Sequence, residues 1–378
     1  MAVTNDLLTD RRVLRHAATL RAAGMDVTLI GRKDLRVRAP RRWRFYAEYN
    51  LRLLWRLLGE QCDVVWANDT DTLPACWLAA RLRRKCLVMD SHEIFPEVPE
   101  LVGRNGVKRV WEMFEKLLMP RCDANITVCQ SLADYYRQRY GVEMTVVRNV
   151  PDCGSRPSDL DHEPQSEDSG VGGQKLKMLL YQGAVNVGRG IDWAIEAVGR
   201  LPQCRLVVAG VGDVMEEMQT LAATKPWRDR IVFLGRLLPA DLERLTPQAS
   251  VGLVMLEDRG LNYHYALPNR IGDFVAAGVP MVVSDLPEMA AVVRRFGVGE
   301  VMKSGKRRVE SEDCFEVQAL VEAIERVLAR EWSDEDFAEA RADMDWNNEK
   351  QKLLAVFQKL KVEKTKRQKA KIWYTNFS

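Results

Sequence analysis

The sequence has 378 residues, which is long for one hydrophobic core and favours two domains. A hydrophobic content of 47% and a charged content of 29% are typical of a soluble globular protein, and the apolar runs are far shorter than the ~20 residues of a membrane span. The start of the chain, MAVTNDLLTD, lacks the basic and apolar regions of a signal peptide, so we expect a cytoplasmic protein.

The first 151 residues alternate between short apolar runs and helical segments. The runs predicted as strands are MDVTLIG (25–31), DVVWAND (63–69), KCLVMDS (85–91), ANITVC (124–129) and MTVVRNV (144–150). The predicted helices cover 12–23, 73–83, 107–118 and 131–140. This alternation predicts a doubly wound domain with a parallel sheet over residues 1–151. Only Met1, Ala2 and Val3 are available for a strand before the segment TNDLLTDRRV.

Residues 32–56 combine arginines with aromatic side chains, although the net charge of the chain is only +3. This composition suits an anionic membrane surface, where Arg meets headgroups and Trp or Tyr enters the interface. A solvated amphipathic helix with a few core aromatics is the alternative. Nucleic acid also suits Arg and aromatic residues, but we do not expect it as a partner.

Cysteines are scattered without CxxC pairs, and several of the eight stand inside apolar runs. Reduced cysteine behaves there as a small hydrophobic residue. We therefore expect a reducing compartment and neither a disulfide framework nor a zinc site.

Residues 152–175 are rich in Ser, Gly, Pro and acidic side chains and predict a flexible acidic linker. A second series of alternating strands and helices follows over 176–332 and predicts a second Rossmann-like domain. Its predicted strands are KMLLYQG (177–183), CRLVVAG (204–210), IVFLG (231–235), VGLVMLE (251–257), PMVVSD (280–285) and GEVM (299–302). Helices over 333–361, with Ser333 as an N-cap, are expected to pack back toward the N-terminal domain. A basic tail occupies 362–378.

The sequence Asp90-Ser91-His92-Glu93 stands where a predicted strand of the first domain ends. Ligands bind at the carboxyl ends of parallel strands, so His92 could bond substrate hydroxyls there or assist proton transfer. A histidine that only caps a loop is the alternative.

The first strand of the second domain is followed by a glycine-rich loop, Gly183 to Gly190, and then by a helix. Glycines let backbone N–H groups approach an anion, and Arg189 adds a fork of donors. This pattern indicates a phosphate site, with an ordinary glycine-rich connection as the alternative. Gly210 and Gly212 follow the next strand, but Met215 replaces the third glycine of a dinucleotide fingerprint.

The stretch Tyr265–Pro280 predicts a helix with an unusual first turn. Pro268 sets the helical φ, and Asn269 and Arg270 stand where free backbone N–H groups favour an anion. Asp273 lies one turn further on the same face. Ile271, Phe274 and Val275 form the predicted buried stripe, and Gly278 with Pro280 is expected to end the helix. This arrangement suits a nucleotide-sugar, whose phosphates meet the helix tip and whose ribose meets the carboxylate. A surface Asp–Arg pair is the alternative.

The segments TNDLLTDRRV, DSHEIFPEVPE, VVRNVP, YQGAVNVGRG and LPNRIGDFVAAGVPMVVSD resemble the retaining glycosyltransferases of the GT-B fold, of the family 4 type and its L-P-N-[KR] subgroup. The resemblance covers roughly residues 4–360. It implies two Rossmann-like, doubly wound parallel-sheet domains that face a central cleft. It also implies a UDP-sugar donor, a glycan or polyprenol-linked or other lipid-linked acceptor, and retention of the anomeric configuration. The expected process is the synthesis of cell-surface polysaccharide or glycolipid without a metal or another cofactor.

The resemblance assigns roles by position. The catalytic residues are expected to be His92, Arg189 and Arg270. The donor-binding residues are expected to be Gly183, Gly188, Gly190, Gly210, Gly212, Phe233, Leu234, Gly235, Leu267, Pro268, Asn269 and Asp273. The acceptor-binding residues are expected to be Asn5, Asp6, Asp10, Arg11, Ser91 and Glu93.

Three positions depart from the family pattern. Tyr265 stands at the first glutamate of the family's E-x7-E pair, Asp273 replaces the second, and Ala184 replaces an arginine of the phosphate loop. Two alternatives therefore stay open: a nucleotide-sugar epimerase of the same fold, and a non-catalytic protein that binds a nucleotide-sugar. The pair Asp69 and Asp71 has the D-x-D spacing of metal-dependent glycosyltransferases, but that class has one nucleotide-binding domain, so we expect no metal here.

Overall fold

The computed structural model describes residues 1–4, 10–38, 43–98, 101, 103–155, 176–303 and 315–375. The chain divides into two compact units: Met1–Asn149 with Asn347–Ser378, and Val150–Trp346. The first boundary is close to the predicted end of the first domain at residue 151. The whole of 333–361 was expected to pack toward the N-terminal domain. Residues 333–346 instead belong to the second unit, and only the last helix joins the first. Most of the predicted linker, 156–175, lies outside the described residues.

The first unit contains a parallel sheet whose strands follow one another in chain order. These strands are β1 (Val64–Asn68), β2 (Cys86–Ser91), β3 (Ala124–Thr127) and β4 (Thr145–Val146). β1 and β2 are buried almost throughout, as their continuous apolar sequence predicts. The predicted strand over 25–31 is wrong. Among the described residues, Ile30 is the one residue of this run that forms a bridge, and its partner Ala2 also bridges Ala67. The carbonyl of Thr28 adds one hydrogen bond, accepted from the N-terminal amine of Met1 at 2.8 Å.

The helices of the first unit lie close to their predicted positions, with one addition. They are α1 (Arg11–Ala22), α2 (Trp43–Gly59), α3 (Leu73–Arg83), α4 (Asn105–Leu118) and α5 (Gln130–Tyr140). α2 lies within the basic and aromatic segment 32–56, and it buries Tyr49, Leu53 and Leu57 at helical spacing. Part of that segment, 39–42, lies outside the described residues.

The second unit contains a six-stranded parallel sheet in the order β10-β9-β8-β5-β6-β7. Its strands are β5 (Lys177–Gln182), β6 (Cys204–Ala209), β7 (Ile231–Gly235), β8 (Val251–Val254), β9 (Met281–Ser284) and β10 (Gly299–Met302). All six were predicted. The strand order reverses between β5 and β8, and such a reversal opens a crevice at the carboxyl ends of the strands.

Helices connect these strands on both faces of the sheet. They are α6 (Ile191–Arg200), α7 (Met215–Ala223), α8 (Pro239–Leu245), α9 (Leu261–His264), α10 (Asn269–Ala277), α11 (Pro287–Phe296), α12 (Phe315–Ala329) and α13 (Ala338–Asp343). The predicted buried stripe of α10 is confirmed: Ile271, Phe274 and Val275 are fully buried. Gly278 ends this helix in the left-handed conformation, at φ 70°, which other residues adopt rarely.

The last helix, α14 (Trp346–Thr375), packs on the first unit through a stacked ring pair and a buried ion pair. The rings of Trp66 and Phe357 are 5.4 Å apart. Glu349 is fully buried and accepts hydrogen bonds from the backbone N–H of Arg148 at 2.9 Å and from its Nε at 2.8 Å. Among the described residues, we find no helix that combines the length and the hydropathy required to cross a membrane.

The Glu349–Arg148 pair is expected to hold the end of the chain on the first unit. Breaking a buried pair leaves one charge without its partner, so Glu349→Ala should lower the free energy of unfolding by about 3 kcal/mol. Lys352→Ala is the matched control. It removes a partly exposed partner of the same carboxylate, 2.9 Å away, and should change the free energy by less than about 1 kcal/mol. Urea unfolding followed by tryptophan fluorescence measures both, and equal effects would contradict this role.

Candidate active site

The loop after β5 is fixed in place by hydrogen bonds to its backbone carbonyls. Tyr181 Oη donates to the carbonyl of Ala184 at 2.5 Å, and Tyr263 Oη donates to that of Val187 at 3.2 Å. The N–H of Glu257 donates to the carbonyl of Gly188 at 2.9 Å. The conformation of this predicted phosphate loop is therefore set before any ligand arrives.

Gly210 brings the loop after β6 into direct backbone contact with the loop after β5. A Cβ atom at Gly210 would lie 1.7 Å from the carbonyl oxygen of Gly183, and one at Gly212 would lie 2.2 Å from that of Val185. The N–H of Val185 also donates to the carbonyl of Val211 at 3.0 Å. Both glycines, predicted as donor-binding residues, thus have a packing role that the sequence pattern did not indicate.

Arg270 lies in the crevice where the strand order reverses. Its side chain is buried, with Nη1 donating to the carbonyl of Gln182 at 3.0 Å and Nη2 to that of Met255 at 3.5 Å. The guanidinium carbon also lies 4.5 Å from the centre of the Tyr181 ring. Burial lowers the pKa of Arg270, since it disfavours the charged form. The sequence predicted that this guanidinium stands at the open tip of the helix. The structure instead places it beneath the loop, where Nη1 is 3.3 Å from the position that a Cβ atom of Gly183 would take.

Arg189 extends from the same loop over an aromatic ring. Its guanidinium carbon is 5.1 Å from the centre of the Tyr263 ring, in the range of a cation–π contact. Its Nε is buried and makes no hydrogen bond among the described residues. Two cationic side chains therefore approach one edge of the sheet, and their repulsion contributes to the lowered pKa of Arg270.

The carboxylate of Asp273 is oriented by a chain of polar side chains. Thr246 Oγ1 donates to Gln182 Oε1 at 2.9 Å, and Gln182 Nε2 donates to Asp273 Oδ2 at 3.1 Å. Thr246 and Gln182 are buried, whereas Asp273 is half-buried. The carboxylate is thus held at the surface by a buried support.

The remaining predicted donor residues lie around this edge. Gly188 and Gly190 are buried in the loop, Leu267 and Pro268 are half-buried before α10, and Asn269 is exposed in its first turn. Phe233, Leu234 and Gly235 lie on β7, the outermost strand on that side, where Gly235 pairs with Ala209. Their contacts with a ligand stay a prediction.

In the first unit, His92 lies between two aspartates at the carboxyl ends of β1 and β2. Nδ1 is 3.2 Å from Asp69 Oδ2, and Nε2 is 3.4 Å from Asp90 Oδ2. The backbone N–H of His92 also donates to Asp69 Oδ1 at 2.8 Å. Asp69 has a φ of 60°, an uncommon value for a residue other than glycine, and this conformation turns its carboxylate toward His92.

Asp90 is the centre of a fully buried charge cluster. Arg12 donates to it through Nη2 at 2.7 Å and Nε at 3.1 Å, and His16 Nδ1 lies 3.3 Å away. Burial alone would raise the pKa of Asp90, but Arg12 and His92 outweigh it and hold that pKa well below its usual range. Arg12 Nη1 also donates to the carbonyl of Val147 at 2.7 Å, which ties the start of α1 to the residue that follows β4.

The two histidines in this cluster have opposite pKa shifts. Burial lowers the pKa of His92, but Asp69 and Asp90 outweigh burial and raise it to about 10. Burial and the neighbouring Arg12 lower the pKa of His16 to about 4. At neutral pH, these shifts favour the protonated form of His92 and the neutral form of His16.

Asp71 is a further buried carboxyl group near this edge. It accepts a hydrogen bond from Thr4 Oγ1 at 2.6 Å, and burial together with the charge of Asp69 raises its pKa to about 8. Asp69 and Asp71 thus accept hydrogen bonds from different partners.

The predicted acceptor residues are only partly brought together. Ser91 is buried, and its Oγ bonds the carbonyl of Glu93 at 3.0 Å and lies 2.9 Å from Tyr136 Oη. Asp10 caps α1 by accepting from the N–H of Val13, and Arg11 is the first residue of that helix. Asn5 and Asp6 lie outside the described residues. Contact of any of these with an acceptor stays a prediction.

Several supporting residues were missed by sequence reasoning. Arg12 and His16 stand one helical turn apart on the buried face of α1, and two polar residues on an otherwise apolar face could have indicated a buried partner. Gln182 ends a strand predicted as buried, where a polar residue needs a hydrogen-bond partner. Thr246 carried no signal of this kind.

Comparison with known proteins agrees with this two-unit architecture. Residues 9–153 match the family model Glycosyltransferase Family 4, and residues 177–330 match the model Glycosyl transferases group 1. The chain therefore has the GT-B fold, with a match to the family 4 model in its first part and a match to the group 1 model in its second. It is also similar to an uncharacterized glycosyltransferase of Methanocaldococcus jannaschii, with 28% identity over 123 residues. That match covers 31% of this chain and spans 30% of the relative's length.

Solved structures with the same fold cover most of the chain. Sucrose-phosphate synthase of Thermosynechococcus elongatus has a TM-score of 0.68 at 16% identity and covers 93% of each chain. The Anabaena protein HepE, solved with UDP and glucose, has a TM-score of 0.68 at 15% identity and covers 95% of this chain and 98% of its own. At such low identity, these similarities establish the fold alone.

The opposite charge states of His92 and His16 can be measured directly. In nitrogen-detected NMR spectra of the imidazole rings, His92 should stay doubly protonated at pH 8, and His16 should stay neutral at pH 5. His92→Gln and His16→Gln assign the signals. Since the pKa of His92 is raised above the unfolded value of 6.5, its contribution to stability should be complete below pH 6.5 and be lost toward pH 10. A His92 signal that titrates near 6.5 would contradict the charge cluster.

Proposed function

We propose that the protein is a retaining glycosyltransferase that moves a sugar from a UDP-sugar to a glycan or to a polyprenol-linked or other lipid-linked acceptor. The observation that carries this proposal is the set formed by Arg189, Arg270 and Asp273 around a preformed loop at the crevice of the second sheet. Two cations and a carboxylate at such a place suit a diphosphate and a ribose. HepE, a structure of the same fold, was solved with UDP-glucose as well as with UDP and glucose.

The donor is bound by complementary polar groups. The carboxylate of Asp273 accepts hydrogen bonds from the ribose hydroxyls, and Gln182 prevents it from rotating away. The diphosphate lies on the loop after β5 and near the first turn of α10, where the N–H groups lack intrahelical partners. Arg189 supplies donors from the loop itself.

The same groups stabilise the leaving group. Negative charge grows on the UDP oxygen as the bond to the sugar breaks, and in this proposal Arg189 stabilises it from the loop and Arg270 from beneath the loop. Arg270 has little water around it, so its attraction for developing negative charge is weakly screened. No metal is needed in this scheme, because fixed cations of the protein supply the positive charge.

The first unit is proposed to bind the acceptor through the residues around His92. The structure of the lipopolysaccharide outer core galactosyltransferase WaaB has the same fold, with a TM-score of 0.56 at 13% identity. A role in cell-surface polysaccharide or glycolipid synthesis is consistent with that similarity. Residues 32–56 would then contact an anionic membrane surface on its cytoplasmic side.

A screen of UDP-, GDP- and ADP-sugars by thermal shift identifies the donor, since a ligand that binds the folded state raises the melting temperature. Transfer to acceptor is then assayed with the donor that binds. Binding of a UDP-sugar without transfer to any glycan or lipid-linked acceptor would favour a non-catalytic binding protein. Turnover of donor without acceptor would favour the epimerase.

Asp273→Asn tests the proposed contact with ribose. The change keeps the size of the side chain and removes its charge, and hydrogen bonds to charged groups contribute about 1.5–3 kcal/mol. The dissociation constant for UDP, measured by calorimetry, should therefore rise about 10- to 100-fold. Asp229→Asn is the matched control, since Asp229 is exposed just before β7, at the opposite end of the strands, and should leave UDP binding unchanged. Equal affinity for Asp273→Asn and the native protein would exclude this contact.

Metal independence is tested by chelation. Transfer should continue at an unchanged rate after dialysis against EDTA, because Arg189 and Arg270 provide the positive charge. Loss of transfer in EDTA, with recovery on addition of Mg²⁺ or Mn²⁺, would mean that a divalent cation takes part.

A further inference from the structure

Exposed apolar side chains concentrate on three consecutive helices of the first unit. Of the sixteen large hydrophobic residues exposed in the described part of the chain, nine are on α2, α3 and α4. They are Trp43, Leu51, Trp55, Leu78, Leu82, Val107, Val110, Met113 and Leu117. An apolar patch of this extent on a soluble protein marks an interaction surface.

The three helices form one layer. Arg83 of α3 donates from Nη1 to the carbonyl of Leu57 on α2 at 2.8 Å. The rings of Tyr46 on α2 and Trp111 on α4 are 5.0 Å apart, and α3 packs on both α2 and α4. The outward faces of α2, α3 and α4, here called the α2–α4 surface, are therefore neighbours.

α4 presents an apolar stripe away from the core. Its buried face carries Trp111 and Glu115, and Glu115 accepts a hydrogen bond from Thr70 at 2.9 Å. Val110 and Leu117 lie two turns apart on the exposed side, with Met113 between them. By helical geometry, the exposed Arg109 and Lys116 flank this stripe.

The helices that form the α2–α4 surface carry an excess of basic residues, although Arg56 pairs with Glu60 and Lys108 with Glu97 outside them. The three helices contain eight basic and three acidic residues, and one of the acids, Glu115, is buried. Trp43 and Trp55 are the most exposed aromatic side chains of the surface, at 71% and 70%. Tryptophan and arginine around an apolar stripe are the composition of helices that lie in a membrane interface.

We propose that the α2–α4 surface docks on an anionic lipid bilayer, with the apolar stripe of α4 as a principal contact. This inference rests on the proposed function, because a lipid-linked acceptor would place the substrate in that bilayer. It extends the contact predicted for residues 32–56 to α3 and α4. Anionic lipid is favoured over a second copy of the chain because two positive surfaces repel each other.

Co-sedimentation with vesicles tests the inference. The full chain should bind vesicles of phosphatidylcholine with phosphatidylglycerol, and should bind phosphatidylcholine alone much more weakly. The double variant Val110→Glu/Leu117→Glu should lose at least about tenfold in affinity, since it removes two apolar contacts and adds two negative charges. Leu238→Glu is the matched control, because Leu238 is 69% exposed in the second unit and should not affect vesicle binding.

UDP affinity and melting temperature are measured on every variant and should not change, which separates this inference from the proposed function. Failure of the native chain to bind anionic vesicles would overturn the inference, as would unchanged binding by the double variant. One further result would overturn the inference. The native chain would form a dimer in analytical ultracentrifugation, and the double variant would be monomeric but still bind vesicles.

Discussion

The candidate donor site depends on the hydrogen bonds of one buried guanidinium, that of Arg270, in the crevice of the second sheet. Arg270 lies where the strand order reverses, between β5 and β8. It donates hydrogen bonds to the carbonyl of Gln182, which ends β5, and to that of Met255, which follows β8. Without it, the carbonyls of Gln182 and Met255 would lose these buried donors, and the Tyr181 ring would lose the cation that it faces. The cost of burying a charge is thus offset by contacts that also shape the loop above it.

The first unit also buries a charged group at the end of a strand, but this charge is negative. Asp90 is a buried anion at the end of a central strand, and Arg12 and the two histidines surround it. In both units, a charge that is expensive to bury lies at the carboxyl end of the sheet, where parallel strands leave room for a ligand. Each charge is held by partners from other segments of the chain, so the edge is rigid before a ligand binds.

The sequence allowed most of the secondary structure to be predicted, and particular residues explain why. Most strands of the second unit have continuous apolar runs bounded by glycine or polar residues, and Gly278 marked the end of α10. The run at 25–31 has the same composition, but a strand depends on a neighbour of matching length, and this run forms a single bridge, between Ile30 and Ala2. Hydrogen-bonded neighbours from distant segments, such as Thr246 beside Gln182, leave no periodic signal, so the support of Asp273 could not be predicted. The direction of the Arg270 side chain was also out of reach, because it depends on which carbonyls lie unpaired in the crevice.

The positive charge of His92 also limits which group can accept a proton from an acceptor hydroxyl group. A ring that is already protonated, with each nitrogen facing a carboxylate, has no lone pair to receive a proton from an attacking hydroxyl group. In the retaining transfer proposed above, that proton would need another acceptor. The departing phosphate oxygen would become more basic as its bond to the sugar lengthens, and in such a transfer it lies on the face of the sugar that the hydroxyl group attacks. The charge of His92 would thus favour a transfer in which the leaving phosphate oxygen accepts the proton of the attacking hydroxyl group.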